Sequence, residues 1–185
     1  TTGSAADLAT LVAAKTAGTI TLAVNFAATV TGTVSVAGAN AIDAANGTGV
    51  ITATLIEGTV AALKTLTGAD NAYTLTVSDT TAAAADLIAL DAMTTVAVGA
   101  SKVTTITGLV ADIKTVAAAA GITKAANWSA VPTDVSISVA DANTLDAANG
   151  TGVITATITA GAATTLKTLT GTNNIYTLTV TDTTA

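Results

Sequence analysis

Short stretches along the chain alternate apolar residues with threonine, the pattern of β-strands that bury one face. The two clearest are VITAT at Val50–Thr54 and YTLTV at Tyr73–Val77. Similar stretches begin at Thr19 (TITLAV), Thr33 (TVSVA), Thr94 (TTVAVG), Val103 (VTTITG), Val135 (VSISVA), Val153 (VITAT) and Tyr176 (YTLTV). The starts at 50, 73 and 94, and those at 135, 153 and 176, follow one another at intervals of 18 to 23 residues, which leaves room for one short connecting element.

Apolar residues at helical spacing fill several of these gaps. Leu87 and Leu90 lie on one helical stripe, and so do Leu109, Ile113 and Val116. The pattern predicts an α/β solenoid in which short parallel strands alternate with short helices, in right-handed coils of about 18–24 residues. A pair of similar small α/β domains is the alternative architecture.

A long internal duplication supports a repeating structure. Residues 42–82 and 145–185 align without a gap at a shift of 103, and 29 of their 41 positions are identical. The opening Thr1–Leu8 resembles Thr80–Leu87 at a shift of only 79, so the later copy holds 24 additional residues. We therefore predict a first super-repeat at 1–82 and a second at 83–185, with one extra coil near 103–126 and no linker.

Composition excludes several kinds of chemistry. The chain has no Cys, His or Arg, so it lacks thiolate ligands, an imidazole proton shuttle and the guanidinium clamp for phosphate. A net charge of −6 argues against nucleic acid as a partner. Mean hydropathy is +0.67, yet Thr, Asp or Lys interrupts every apolar run before a membrane-spanning length. These features predict a protein that is not an enzyme, has no catalytic residues and does not insert into membranes.

Aromatic residues make up only 2% of the chain, so any core must bring small side chains and backbones close together. Phe26 and Trp128 occupy matching places in the two halves. We expect both rings to be buried against neighbouring coils.

Four aspartates that are related in pairs by the 103-residue shift are the candidate metal ligands. Asp43 and Asp146 lie in DAANG, while Asp79 and Asp182 lie in DTTA. Carboxylate oxygens suit calcium, the one cofactor that we consider. The alternative assigns them structural roles: Asp79 and Asp182 would cap the helices that follow them, and Asp43 and Asp146 would lie in exposed helix turns.

Threonine pairs recur on the predicted strands. They are Thr52/Thr54, Thr74/Thr76, Thr155/Thr157 and Thr177/Thr179. Stacked across coils, these side chains would form a flat array of hydroxyl and methyl groups. Such an array suggests an alternative function as a surface-binding module for ice or polysaccharide.

The segment Ala84–Ile122 resembles the Ala/Thr-rich repeats of very large secreted or cell-surface bacterial proteins, cyanobacterial ones especially. It shares with them the motif AADLxxLDAxT, followed by VTTITGxxADIKTV. Relatives of this kind include surface-layer, motility-associated and RTX-type adhesin proteins. The resemblance implies an extracellular or cell-surface location. The chain has no clear GGxGxDxUx nonapeptide, so the calcium-dependent folding of RTX proteins cannot be assigned to particular residues.

Together these features predict an extracellular structural protein: a solenoid segment of a filament, surface layer or long adhesin. The final TDTTA matches the interior SDTTAAAADL, so we expect another coil to follow it. The expected partners are copies of itself, end to end, and cell-surface polysaccharide.

Overall fold

The computed structural model describes residues 1–183 as an α/β protein built from short elements. Its helices are α1 (Ala5–Thr16), α2 (Val36–Asn46), α3 (Val60–Leu63), α4 (Ala84–Asp91), α5 (Val110–Ala118), α6 (Val139–Ala148) and α7 (Ala163–Leu166). Its strands are β1 (Thr2–Ser4), β2 (Ala28–Val34), β3 (Ile51–Leu55), β4 (Ala72–Thr74), β5 (Thr81–Ala83), β6 (Val98–Ala100), β7 (Thr105–Gly108), β8 (Ile122–Lys124), β9 (Ser129–Pro132), β10 (Thr155–Thr157) and β11 (Ile175–Thr177). The predicted α/β class with short parallel strands and short helices is confirmed.

The sheets are small and parallel. One sheet has the order β1-β2-β3-β4, a second has β5-β7-β9, and the pairs β6-β8 and β10-β11 complete the set within residues 1–183. Paired residues such as Thr2 and Thr29, or Thr52 and Ala72, lie 20 to 27 positions apart in the chain. Parallel neighbours cannot be joined by a tight hairpin, and the intervening segments, most of them containing a helix, supply the crossovers.

Residues 1–79, 89–100 and 121–123 form one compact unit. Its four-stranded sheet turns apolar side chains inward, as in β3, where Ile51, Ala53 and Leu55 are buried while the threonines between them are exposed. Tyr73, Leu75 and Val77 continue the same alternation and are fully buried. The period-two pattern of the sequence therefore reflects a sheet with one buried face.

Residues 80–88, 101–120 and 124–183 belong to the second unit. Ile137, Ala142, Ile158 and Leu166 form a buried cluster there, against which Tyr176 is partly buried. Trp128 is buried in this unit and Phe26 in the first, which confirms the predicted burial of both rings; their packing against neighbouring coils stays a prediction.

Three of the predicted strand regions differ clearly from the structure. Residues 19–24 form no strand, because no neighbouring backbone pairs with them in the described chain. The stretch from Thr33 stops being a strand at Val34, because the Ser35 side chain accepts a hydrogen bond from the Gly38 amide and starts α2. Ser138 starts α6 in the same way, so the stretch from Val135 contributes only the single bridge of Ile137 with Ile158. Serine capping therefore overrides the alternating pattern at both places.

The predicted extra coil, 103–126, contains β7, α5 and β8. Strand β7 lies between β5 and β9 in its sheet. In the first unit the strand that corresponds to β5, β1, pairs directly with β2. The proposed division of the chain at residues 82 and 83 stays a prediction.

Candidate functional site

The two DAANG aspartates make the same contact. Asp43 of α2 accepts a hydrogen bond from Asn71 Nδ2 at 3.0 Å, and Asp146 of α6 accepts one from Asn174 Nδ2 at 2.8 Å. Each asparagine in turn accepts a backbone hydrogen bond at Oδ1, from Ile51 at 2.7 Å or from Ile154 at 2.8 Å. The carboxylates therefore orient asparagines that tie neighbouring strands together.

A glycine faces each of these carboxylates. A Cβ atom at Gly68 would lie 2.3 Å from both the Asp43 carboxylate and the Asn71 amide, and one at Gly171 would lie 2.1 Å from the Asp146 carboxylate. No side chain fits at those distances. The aspartate–asparagine contacts thus explain why both copies have TLTG at this point.

The tyrosines beside these contacts are hard to ionise. Asn71 Nδ2 also lies 3.2 Å from the Tyr73 hydroxyl, and burial, followed by the negative charge of Asp43, raises the pKa of Tyr73 well above its usual value. Burial and then the charge of Asp146 raise the pKa of Tyr176 to about 12. Both groups are neutral at physiological pH. The Tyr73 hydroxyl is hydrogen-bonded to Asn71, whereas the Tyr176 hydroxyl has no hydrogen-bond partner among the described residues and serves packing alone.

Asp79 and Asp182 cap helices, but not the helices that the sequence suggested. Asp79 Oδ2 accepts a hydrogen bond from the Val60 amide at 2.7 Å, and Asp182 Oδ2 accepts one from the Ala163 amide at 2.7 Å. Those amides begin α3 and α7, which precede the aspartates by 19 residues. This contact corrects the prediction that Asp79 caps the helix after it. The same prediction for Asp182 concerns residues beyond 183, which lie outside the described chain.

Two further acidic residues, which the sequence analysis did not single out, act in the same way. Glu57 Oε2 accepts from the Val36 amide at 2.8 Å, and Asp134 Oδ2 accepts from the Val110 amide at 2.7 Å. These amides are the first of α2 and α5. A carboxylate at a helix N-terminus meets an unpaired N–H and the positive end of the helix dipole. Four of the twelve acidic residues therefore join a helix to a segment 19 to 24 residues later.

No group of three or more acidic side chains converges anywhere within residues 1–183, so the four candidate calcium ligands do not meet at one centre. Asp43 also lines a groove of about 250 Å³ together with Asp70 and Asn71. In the second copy Asn173 stands at the position of Asp70 and donates to the Thr151 carbonyl at 2.7 Å. Calcium binding by Asp43, Asp79, Asp146 and Asp182 stays a prediction.

Exposed threonines lie in register across the first sheet. Thr2, Thr29 and Thr52 are paired neighbours on β1, β2 and β3, and Thr33, Thr54 and Thr74 are paired neighbours on β2, β3 and β4. A register shift between Thr29 and Thr33 interrupts the spacing of the two rows. In the second unit Thr155 pairs with Ile175, which breaks the row. The threonine surface is therefore regular only over short distances.

Apolar side chains are exposed along one sheet edge. Leu178 and Val180 are 48% and 55% exposed, whereas their counterparts at a shift of 103, Leu75 and Val77, are 1% and 0% exposed. Strand β11 has β10 on one side and no partner on the other within the described chain. The same sequence, YTLTV, thus occurs once with neighbouring segments on both sides and once with a neighbour on one side among residues 1–183.

A scan of protein-family models found no match to this chain, and neither did searches of curated proteins and of solved structures. The described residues contain no helix that is both long and apolar enough to cross a membrane.

Proposed function

We propose that this chain is an extracellular structural protein, a solenoid segment of a filament, surface layer or long adhesin that assembles end to end. The observation that carries the proposal is one contact made at the same place in both copies: Asp43 and Asp146 each accept a hydrogen bond from an asparagine, and that asparagine accepts one from the neighbouring strand. A unit that repeats its contacts along the chain stacks on further copies of itself through the same nearest-neighbour interactions.

The solenoid part of the proposal rests on how the strands follow one another. In the first unit β1, β2, β3 and β4 pair in chain order, each with the next. Side-chain hydrogen bonds then join residues that are far apart in the chain: Asp79 accepts from the Val60 amide, 19 positions away, and Asp43 accepts from Asn71, 28 positions away. Interactions between nearest neighbours are what stabilise stacked repeats.

The extracellular location rests on the resemblance to secreted Ala/Thr-rich repeats and on the acidic surface, with its net charge of −6. A structural and non-catalytic role is favoured because the four aspartates that the sequence singled out all make hydrogen bonds to the protein's own asparagines or helix amides. We therefore propose no cofactor beyond calcium, and copies of the chain as its main partner.

The test is to measure the mass of the purified chain over a wide concentration range by sedimentation velocity, with negative-stain electron microscopy of the concentrated sample. Mass that grows with concentration, and linear particles in the micrographs, would support the proposal. A monomer that persists at the highest attainable concentration would refute assembly.

A surface-binding module for ice or polysaccharide is the second candidate, and the in-register threonine rows favour it. Replacing Thr54, in the centre of one row, by Tyr would disrupt the flat surface without burying a polar group. Loss of thermal hysteresis, or of glycan binding, in Thr54→Tyr would support this candidate. If the unsubstituted chain has neither activity, the candidate is wrong.

A further inference from the structure

Both copies of the duplication contain asparagine followed by glycine, a dipeptide that is prone to spontaneous deamidation. The two pairs are Asn46-Gly47 and Asn149-Gly150. In a flexible peptide the glycine amide nitrogen loses its proton and attacks Cγ of the asparagine side chain. A succinimide ring closes, the bond from Cγ to Nδ2 breaks, and ammonia leaves with that proton. Water then opens the ring to aspartate or isoaspartate, so the reaction needs no enzyme and no reactant other than water.

The fold holds both asparagine side chains away from this reaction. Asn46 and Asn149 are each 0% exposed. Asn46 Nδ2 donates to the Gly49 carbonyl, and Asn149 Nδ2 donates to the Gly152 carbonyl at 2.8 Å, so the nitrogen that would leave is bound inside the protein. The two Oδ1 atoms, which would take up negative charge during the attack, have no hydrogen-bond donor among the described residues. Closing the ring therefore requires the side chain to leave the interior.

The fold also requires the glycine that makes each pair reactive. Gly47 and Gly150 have φ angles of +67° and +66°, in the left-handed region that disfavours residues with a Cβ atom. A Cβ atom at Gly47 would lie 2.7 Å from the Val24 carbonyl oxygen, and one at Gly150 would lie 2.7 Å from the Ala126 carbonyl oxygen. A bulkier residue, which would slow the reaction, does not fit at either place. Protection therefore comes from the packing of the asparagine.

An asparagine from an earlier segment helps to hold each of these turns, 46–49 and 149–152, in place. Asn25 Oδ1 accepts a hydrogen bond from the Thr48 amide at 3.4 Å. Asn127 Oδ1 accepts one from the Thr151 amide at 3.1 Å. Both asparagines are exposed, so replacing either removes a hydrogen bond of the turn without emptying the core. Each hydrogen bond lies within one compact unit, so each can be removed by itself.

We propose that Asn46 and Asn149 are sites of spontaneous deamidation that the folded chain blocks, and that local opening of either turn starts the reaction there. After the reaction a carboxylate oxygen replaces Nδ2 and would face the Gly49 or Gly152 carbonyl oxygen without a proton between them. A buried carboxylate without a partner is costly, so the turn cannot close again. Deamidation thus makes a local opening permanent, whether or not the chain assembles end to end.

The first test compares the folded chain with the unfolded chain. The purified protein is incubated at mildly alkaline pH in buffer and in concentrated urea, and deamidation at each asparagine is followed by peptide mass spectrometry. In urea we expect the two Asn-Gly pairs to react before the other asparagines. In buffer we expect both pairs to react at least about tenfold more slowly, because only molecules with an open turn can react. Equal rates in buffer and in urea, or no reaction in urea, would overturn the proposal.

The second test uses the duplication as a reciprocal control. In buffer, Asn25→Ala should speed deamidation at Asn46 by roughly 2- to 10-fold and leave Asn149 unchanged, because one hydrogen bond no longer opposes opening of the first turn. Asn127→Ala should do the converse. Circular dichroism verifies that both variants fold.

Acceleration at both sites by either variant would make global unfolding the trigger and overturn local opening. The absence of acceleration in both variants would overturn it as well.

Discussion

The contact of Asn71 provides the sharpest test of how neighbouring strands are held together. Asn71 is 2% exposed and makes three side-chain hydrogen bonds, with the Ile51 amide at 2.7 Å, the Asp43 carboxylate at 3.0 Å and the Tyr73 hydroxyl at 3.2 Å. Asn71→Ala removes all three. It also leaves the amide of Ile51, which is fully buried, without a partner.

The expected loss follows from these contacts. An unsatisfied buried amide costs about 1–3 kcal/mol, and each lost hydrogen bond contributes about 1 kcal/mol more, offset where water reaches the half-buried Asp43. We expect Asn71→Ala to lower the free energy of unfolding by about 3 kcal/mol, which for a chain of this size corresponds to a melting temperature lower by roughly 6–12 °C.

Asn174→Ala is the matched control that the duplication supplies. Asn174 makes the bonds to Ile154 and Asp146 but no bond to a tyrosine hydroxyl, and it is partly exposed, so water can replace some of what is lost. We expect a loss of about half that of Asn71→Ala. Urea unfolding followed by far-ultraviolet circular dichroism measures both. Equal losses in the two variants, or a loss below about 1 kcal/mol for Asn71→Ala, would refute the reasoning.

Three further predictions concern packing, a close contact and an ion pair. Leu75→Ala should destabilise the chain by about 2–5 kcal/mol, whereas Leu178→Ala should cost under about 1 kcal/mol in dilute solution, because only the first empties a buried site; thermal unfolding at low concentration compares them. Gly68→Ala should lower the melting temperature by several degrees while Gly161→Ala does not, since a Cβ at Gly161 has no neighbour closer than 3.8 Å. Hydrogen bonds from Lys114, at 2.6 Å, and then from Ser138 hold the pKa of Asp141 below its usual value. The stability that these two bonds contribute is therefore present above the ordinary aspartate pKa, and it is lost as the pH falls through the lowered pKa of Asp141. Asp141→Asn should therefore flatten the loss of stability between about pH 5 and pH 2, by under about 1 kcal/mol because both side chains are partly exposed, and an unchanged acid profile would contradict this.

The α/β class and several of the regular elements could be predicted because the local pattern carries them. In β3 the alternation of Ile51, Ala53 and Leu55 with threonine marks a buried face, and the stripe of Ile113 and Val116 marks the buried face of α5. The duplication also matches Asp43 with Asp146, and the two aspartates make the same contact with an asparagine.

The local pattern misled where a competing interaction was stronger. Ser35 sits in an alternating stretch, but its side chain caps α2 and ends the strand one residue earlier. Asp79 precedes a helix along the chain, yet it bonds to the start of α3, which tertiary packing brings to it. A single sequence does not show which of two helices lies within reach of a carboxylate.

By itself, the sequence determined which faces are apolar, how long the segments between strands are and which segments are copies of one another, because these depend on residue type and spacing alone. Only the tertiary structure decided which copies are covered. Leu75 and Leu178 occupy the same position in the two copies of YTLTV. Leu75 is buried because a neighbouring segment covers it, whereas Leu178 is exposed because no segment of the described chain covers it. Whether a side chain is buried depends on the segment that packs on it as well as on its own type. For the first copy that segment includes Gly99, which pairs with Thr76 from about 20 positions away in the chain.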